Sequence, residues 1–162
     1  MKKVAIIGGG ISGLYISNLL KQNPDYEIAV YEKNNFVNLQ KGYGIQLSVN
    51  SIKLLNKIGF QNVSLKEKFF PKKLDFYSLK NKNKICDLDI SAFNDAEDKY
   101  TTLQRFTLIN FLKNKLPDNL INYNKKVTKV QNDSEIISVF FEDNSSIKCD
   151  YLIISDGIFS KT

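Results

Sequence analysis

The chain has 162 residues, 43% of them hydrophobic and 25% charged, with a formal net charge of +6, which is typical of one globular domain with its own core. It has no histidine and only two cysteines, Cys86 and Cys149, so Cys/His zinc sites and Ser-His or Cys-His nucleophile pairs are excluded within it. Its lysines are interspersed with acidic residues and no stretch could span a membrane, so we predict a cytoplasmic protein with no nucleic-acid partner.

The first predicted unit is a β-α-β unit. Residues 4–7 form a continuous apolar run, as in a buried parallel strand, and a glycine-rich turn follows. Apolar residues at helical spacing continue to Leu20, and Asn23-Pro24-Asp25 breaks the helix. A second strand is predicted over 27–31.

The middle of the chain alternates loops with short elements. Residues 34–41 read as a loop and 42–44 as a flexible turn. A helix is predicted over 51–58, with Leu54, Leu55 and Ile58 facing inward and Gly59 as its stop.

Two strands are predicted over 74–79 and 84–90, around a polar turn at 81–83. The second strand alternates, with Cys86, Leu88 and Ile90 on one face, which predicts an antiparallel sheet with one solvated side. The aspartates on the other face, Asp87 and Asp89, are interpreted as a solvated edge in preference to an acid/base pair.

The last third is predicted to hold one helix and four strands. Thr101 and Gln104 have capping-box spacing, which predicts a helix start at 101–104. Leu108, Leu112 and Leu116 would form its apolar stripe. Strands are predicted over 126–131, 136–141 and 147–149, with a hairpin turn at 143–145. A buried apolar strand at 151–155 precedes Asp156-Gly157.

The glycine turn matches G-x-G-x-x-G between a strand and a helix. Gly8 permits the tight turn, Gly10 lets a pyrophosphate approach the backbone, and Gly13 lets the helix pack on the strand. The helix N-terminus offers free N–H groups and a positive dipole end to phosphates. Glu32, at the end of the second strand, can accept a hydrogen bond from a ribose 2′-OH and would repel a 2′-phosphate. The alternative is a glycine turn without a ligand.

Two further features are candidates for ligand contact. Arg105 is the sole arginine of the sequence, and its planar fork suits bidentate phosphate binding; the alternative is an ordinary surface cation. Asp156-Gly157 follows a strand, so it is expected at the carboxyl edge of the sheet, where α/β folds bind ligands; the alternative is a simple turn.

Taken in order, these motifs resemble the FAD-dependent aromatic hydroxylases, or class A flavoprotein monooxygenases, of the para-hydroxybenzoate and salicylate hydroxylase type. The matching stretches are Gly8 to Gly13 with Glu32-Lys33, Gly42 to Leu47 with Asn50, Arg105 with Leu108 and Leu112, and Asp150 to Gly157 with Ser160. The resemblance implies an α/β fold: a Rossmann-like FAD-binding domain with a parallel sheet and an antiparallel β-meander, plus the start of a substrate-domain sheet.

The resemblance also implies a cofactor site. FAD would lie on the first β-α-β unit, Arg105 would contact its pyrophosphate or ribityl region, and the backbone at Val127 would adjoin adenine. Asp156-Gly157 is associated in the family with both FAD and the nicotinamide donor. No catalytic side chain and no metal ligand is assigned. The implied cofactor-binding residues are Gly8, Gly10, Ile11, Ser12, Gly13, Glu32, Lys33, Gly44, Arg105, Val127, Asp156 and Gly157.

The implied activity uses NAD(P)H and O₂ to hydroxylate an aromatic or similar small substrate. Residues 1–70 and 98–162 would belong to the FAD-binding domain, and 71–97 would form a hairpin of an incomplete substrate domain. Chains of the family are much longer, so we expect a fragment that is inactive alone. The alternatives are a non-catalytic nucleotide-binding module and another flavin oxidoreductase of the same fold.

Overall fold

The computed structural model describes residues 1–37, 43–158, 160 and 162. The chain forms two units, one of residues 1–40 and 108–162 and the other of residues 41–107. The strands are β1 (Lys2–Ile7), β2 (Tyr26–Tyr31), β3 (Gly44–Leu47), β4 (Lys73–Tyr77), β5 (Lys84–Asp89), β6 (Thr101–Gln104), β7 (Ile121–Asn122), β8 (Val127–Asp133), β9 (Ile136–Phe141), β10 (Ser146–Cys149) and β11 (Tyr151–Ile154). The α-helices are α1 (Ile11–Leu20), α2 (Val49–Asn56) and α3 (Arg105–Asn114). Short 3₁₀ turns lie at Phe60–Asn62, Leu65–Glu67, Ser91–Phe93 and Asp118–Leu120.

A parallel sheet in the order β11-β1-β2-β7 forms the centre of the first unit. The predicted β-α-β unit is confirmed, because β1, α1 and β2 follow one another and the two strands pair in parallel. β1 lies between two neighbours, which buries its apolar run. Ile7 is in register with Tyr31 on one side and Ile154 on the other, so the three strands end at one edge.

The strand predicted over 151–155 forms as β11, but the prediction that it is buried is wrong. Tyr151 is 51% exposed and Ile154 48% exposed, because β11 lies at the edge of the described sheet with a hydrogen-bonded neighbour on one side only. β7, a two-residue strand beside β2, was not predicted.

The β-meander of β8, β9 and β10 is confirmed, and it is antiparallel throughout. Asn144, in the predicted turn, adopts a left-handed φ of 64°. The meander packs on the parallel sheet through a cluster that includes Ala5, Ile7 and Phe141. Tyr31 stacks on Phe141 at 5.2 Å between ring centroids. The meander therefore lies against the end of β2.

A buried asparagine joins α1 to the end of α3. The predicted apolar stripe is confirmed, since Leu108, Leu112 and Leu116 are buried. Asn18 is also buried, and its Nδ2 donates to the carbonyls of Leu14 and Leu112, each at 2.9 Å. The Leu112 carbonyl lies in the last turn of α3, where no later helical N–H is available. Asn18 therefore satisfies a backbone acceptor that the helix itself leaves open.

In the second unit, β3 and β6 form an antiparallel pair, and the helix start predicted at 101–104 is wrong. Residues 101–104 are β6, and α3 begins at Arg105. Thr101 and Leu103 are buried and alternate with more exposed neighbours, as in a strand. The Thr101 hydroxyl donates to the Lys99 carbonyl at 2.6 Å and caps no helix. Pairing with a distant strand outweighs the local capping pattern.

Helix α2 starts two residues earlier than predicted. Ile52, Leu55 and Ile58 are buried, but Leu54 is 47% exposed, so its predicted inward orientation is wrong. Leu54 lies next to Leu55 and two positions from Ile52, so it points away from the face that those residues share. Gly59 has a φ of 85°, as expected for the residue that ends a helix.

The predicted hairpin forms from β4 and β5. Asp75 and Asp87 lie opposite each other, and Lys73 and Lys84 form ion pairs with both. Hydrogen bonds from Lys84 and Lys73 lower the pKa of Asp87 to about 2, which does not suit a proton-transfer pair with Asp89.

The other face of the hairpin carries Leu74, Phe76, Cys86 and Leu88. Leu88 is 46% exposed, and Phe76 and Cys86 are exposed too, whereas Ile90 is buried just beyond the end of β5. The sequence predicted one solvated side, but both sides of the hairpin are largely exposed among the described residues. Its two strands alone bury little.

Replacing Asn18 by alanine should destabilise the first unit by about 1–3 kcal/mol, because it leaves the buried Leu112 carbonyl without a donor. Urea unfolding followed by circular dichroism measures this change. Asn114→Ala, an exposed asparagine at the end of α3, is the matched control and should change stability by less than about 0.5 kcal/mol. Equal effects of the two substitutions would contradict the role given to Asn18.

Candidate functional site

The candidate site lies at the carboxyl edge of the parallel sheet in the first unit. Because β1, β2, β7 and β11 end in register, the segments that follow them meet at this edge. Those segments are the glycine turn, residues 32–34, residues 123–125 and residues 155–157. β1 pairs on one side with β2, the next strand in the chain, and on the other side with β11, which comes much later in the chain. Open α/β sheets form their binding crevice at a position of this kind.

Two glycines of the turn are required by the backbone itself. Gly8 has a φ of 106°, and a Cβ there would lie 2.4 Å from the carbonyl oxygen of Ser155. A Cβ on Gly13 would lie 1.9 Å from the Gly8 carbonyl oxygen and 2.8 Å from Ser155 Oγ. All three distances are below van der Waals contact. These positions therefore accept no side chain, whether or not a ligand binds.

Gly10 differs, because no heavy atom lies within 4 Å of the position that its Cβ would take. Its φ of −82° is open to any residue, so neither strain nor crowding explains a glycine here. Gly10 is the N-cap of α1, and no side chain caps that helix. Ile11 is half-buried, Ser12 is exposed, and the first turn holds no acidic residue. An uncovered, positive helix end of this kind fits a pyrophosphate.

Glu32 lies beside the glycine turn and is only 8% exposed. Its Oε2 accepts the Gly9 N–H at 2.7 Å. Its Oε1 accepts the Asn34 N–H at 3.0 Å and the Asn34 Nδ2 at 2.6 Å. The carboxylate is thus held in one orientation. Lys33, between these two residues, is exposed and forms no hydrogen bond or ion pair within the described part of the chain.

The segment after β7 runs along residues 32–34. The Lys125 N–H donates to the Glu32 carbonyl at 2.9 Å, and the Asn124 N–H donates to the Asn34 carbonyl at 3.0 Å. Burial raises the pKa of the Tyr123 hydroxyl, and the charge of Glu32 contributes in the same direction. A neutral phenol therefore lies close to the carboxylate.

Asp156 and Gly157 adjoin the glycine turn. The Asp156 Cα lies 3.1 Å from the Cβ position of Gly8, and Ser155 Oγ donates to the Ile7 carbonyl at 2.8 Å. Gly157 has a φ of 89° and open space around it. Asp156 Oδ2 accepts from the Thr162 hydroxyl at 2.9 Å. The predicted position at the carboxyl edge is confirmed, while a role in binding stays a prediction.

The remaining predicted residues either lie apart from the glycine turn, Glu32 and Asp156 or belong to the second unit. Val127 begins β8 opposite Phe141 and, like Tyr31, packs on the buried cluster that includes Ala5, Ile7 and Phe141. Gly44 is the first residue of β3. Arg105 begins α3, and its guanidinium has no hydrogen bond or ion pair among the described residues. The roles of Gly44 and Arg105 stay predictions, and residues 38–42, with Gly42 of the predicted turn, lie outside the described residues.

Sequence reasoning missed three residues that the structure places at the site: Asn34, Tyr123 and Ser155. Asn34 was part of a predicted loop, and its place two residues after Glu32 was the available signal. Ser155 was assigned to a strand, although a small residue just before Asp156-Gly157 could have indicated a close contact. Nothing in the sequence singles out Tyr123.

No helix among the described residues is long and apolar enough to cross the bilayer. Within those residues, no group of three or more Cys, Asp or Glu side chains is arranged to hold a metal ion.

Known proteins resemble this chain in sequence and in fold. A family model described as an NAD(P)-binding Rossmann-like domain matches residues 6–38. The chain is 25% identical to 6-hydroxynicotinate 3-monooxygenase of Pseudomonas fluorescens, over 98% of this chain and 41% of that protein. It is 22% identical to salicylate hydroxylase of Pseudomonas putida, over 98% of this chain and 36% of that protein.

Among solved structures, HpxO of Klebsiella pneumoniae, complexed with FAD and uric acid, superposes with a TM-score of 0.77 at 22% identity, covering 96% of this chain and 39% of that one. The Rossmann-like fold is therefore confirmed. The two curated relatives are, by name, a monooxygenase and a hydroxylase, and HpxO was solved with FAD bound, in agreement with the resemblance that the motifs predicted. The chain spans about 40% of the length of these relatives.

An added methyl group should have a large effect on stability at Gly13 and a small effect at Gly10. Gly13→Ala should lower the free energy of unfolding by about 3 kcal/mol or more, because the methyl group would overlap the Gly8 carbonyl oxygen, a backbone atom that cannot move aside as the end of a flexible side chain could. Gly10→Ala should change it by less than about 1 kcal/mol, because its methyl group enters open space. Urea unfolding of both variants checks the contrast, and similar losses would contradict it.

Proposed function

We propose that this chain binds FAD and forms the FAD-binding part of a flavin-dependent monooxygenase. The observation that carries the proposal is Gly10, a glycine that neither strain nor packing requires, at the uncapped N-terminus of α1. A pyrophosphate lying against the backbone there explains why a side chain is missing. HpxO, which was solved with FAD bound, supports FAD as the ligand, and the monooxygenase and hydroxylase relatives support the class of reaction.

The residues around the turn have separate tasks in this proposal. Free N–H groups at Gly10, Ile11 and Ser12 would bind the pyrophosphate. Glu32 would accept a hydrogen bond from the adenosine ribose, because its carboxylate lies at the end of β2. The backbone at Val127 would adjoin adenine.

Three other residues belong to the proposed cofactor site. Asp156 and Gly157 would approach the flavin end of the cofactor from the turn beside Gly8. Lys33, which is exposed beside Glu32, would add positive charge near the phosphates.

Bound FAD would supply the redox and oxygen chemistry. The protein's own residues would bind and orient it, and we assign no catalytic side chain in this chain. The reductant in the proposal is NAD(P)H and the oxidant is O₂. The proposed substrate is a small aromatic compound, as the names of the relatives indicate for those proteins. A cytoplasmic location is part of the proposal, supported by the free thiols of Cys86 and Cys149.

The domain assignment is also a proposal. Residues 1–70 and 98–162 would belong to the FAD-binding domain, and residues 71–97 to a substrate domain. The hairpin of β4 and β5 supports this, because Phe76, Cys86 and Leu88 are exposed on its apolar face. Further strands or helices would have to cover that face in a complete substrate domain.

Replacing Gly10 by valine should lower FAD affinity about tenfold or more without lowering the melting temperature, because the side chain enters the space that the pyrophosphate needs. Quenching of FAD fluorescence on titration measures the affinity. ADP should displace FAD from the unmodified chain, whereas riboflavin, which lacks the ADP part, should not. A chain that binds no FAD, or a Gly10→Val variant that binds it equally well, would contradict the proposal.

Arg105 is proposed to contact the pyrophosphate or ribityl region. Arg105→Ala should weaken FAD binding about tenfold, and Arg105→Lys should restore only part of the affinity, because an ammonium lacks the planar fork. Lys113→Ala on the same helix is the control and should leave affinity unchanged. Equal affinities of the arginine variants and the unmodified chain would remove Arg105 from the site.

A further inference from the structure

The Glu32 carboxylate has nearly all its acceptor positions filled by the protein. A carboxylate offers about four lone-pair positions, two on each oxygen. The Asn34 N–H and the Asn34 Nδ2 occupy Oε1, at 3.0 and 2.6 Å. The Gly9 N–H occupies one position on Oε2, at 2.7 Å. One acceptor position is left, and it lies on Oε2.

We propose that Asn34 is a positioning residue for ribose recognition. By holding Oε1 with two donors, it turns the carboxylate so that the remaining position on Oε2 accepts a hydroxyl of a ribose diol. The ligand class is an adenine ribonucleotide, recognised through that hydroxyl. This inference rests on the proposed function, and it goes beyond it by assigning the discrimination between ribose and deoxyribose to Asn34.

Asn34 can do this because its own backbone is fixed. Its carbonyl accepts the Asn124 N–H at 3.0 Å, and Asn124 adopts a left-handed φ of 57°. The Glu32 carbonyl accepts the Lys125 N–H at 2.9 Å, and the Glu32 N–H donates to the Asn122 carbonyl at 2.9 Å. Both ends of residues 32–34 are therefore bonded to the segment after β7, and the side-chain amide is presented from a rigid support.

The chemistry requires a donor at this position. The short contact between Asn34 Nδ2 and Oε1 joins an amide donor to an ionised acceptor, which is among the stronger hydrogen bonds in proteins. Aspartate has the same shape but offers a second carboxylate in place of the donor. Alanine keeps the backbone N–H that bonds Oε1 but leaves the second position on Oε1 to water, so the carboxylate is held in its orientation by one donor fewer.

The experiment measures the affinities of the 162-residue chain for ADP, 2′-deoxy-ADP and 3′-deoxy-ADP by isothermal titration calorimetry. The unmodified chain should prefer ADP over at least one deoxy analogue by about tenfold, the effect of one hydrogen bond to a charged acceptor. Asn34→Ala and Asn34→Asp should lower this preference to less than about threefold. The variants should bind ADP more weakly than the unmodified chain does, and their affinity for that deoxy analogue should stay the same.

The neighbouring Asn35 provides a matched control, because it is exposed and forms no hydrogen bond within the described residues. Asn35→Ala should keep the full preference. Glu32→Gln should abolish the preference, and adding Asn34→Ala to Glu32→Gln should change it no further, since the two residues act through one contact.

The outcomes separate this inference from the proposed function. If the unmodified chain binds none of the three nucleotides, the proposed function is overturned and the inference with it. If it binds ADP but shows no preference, or if both Asn34 variants keep the preference, the inference is overturned and the proposed function stands. A parallel loss of affinity for ADP and for the deoxy analogues would show a merely structural role and would also overturn it. If Asn34→Ala does not fold, the preference of Asn34→Asp decides in the same way.

Discussion

The close approach of three backbone segments, at Gly8, Gly13 and Ser155, is the constraint on which the site depends. A single methyl group at Gly8 or Gly13 would collide with a carbonyl oxygen, so the start of α1 packs directly on the end of β1 and on β11. This packing places the uncapped end of α1 at the carboxyl edge of the sheet and sets the distance from the turn to Glu32. The open position at Gly10 suits the proposed binding of a pyrophosphate because the residues on both sides of it are immobilised.

Much of the fold followed from local sequence patterns. Short apolar runs, the glycine turn and the hairpin turns each depend on residues close together in the chain, and the corresponding strands formed where they were predicted. Two of the failures involve partners distant in sequence. Thr101 and Gln104 had the spacing of a helix cap, but pairing with β3 drew them into a strand. Ile121 and Asn122 form a strand too short to produce a pattern, and β2 alone specifies it.

The residues of the candidate site fall into two similar groups, those that local sequence patterns reveal and those that only the structure reveals. Glycines and the acidic residue after β2 are unusual enough in their context to be found from sequence, because each serves a backbone or charge requirement at a fixed offset. Asn34 resembles any other polar loop residue, and its two hydrogen bonds to Glu32 become visible only when the carboxylate is placed. Ser155 is hidden in an apolar run for the same reason. Whether one polar residue orients another depends on which residues are close together in the folded structure.

The contact between the glycine turn and Ser155 also has a consequence for the order of events in folding. Ser155 Oγ and the Gly8 carbonyl are separated by 147 positions in sequence, so this contact closes a very long loop. The first β-α-β unit can form locally as soon as its residues have been synthesised, but its turn has no support on one side until β11 is made. Contacts of such high sequence separation slow folding, and until β11 arrives, β1 presents an unpaired edge to other chains. The glycine turn therefore reaches its final form only after β11 has formed, although the two lie far apart in the sequence.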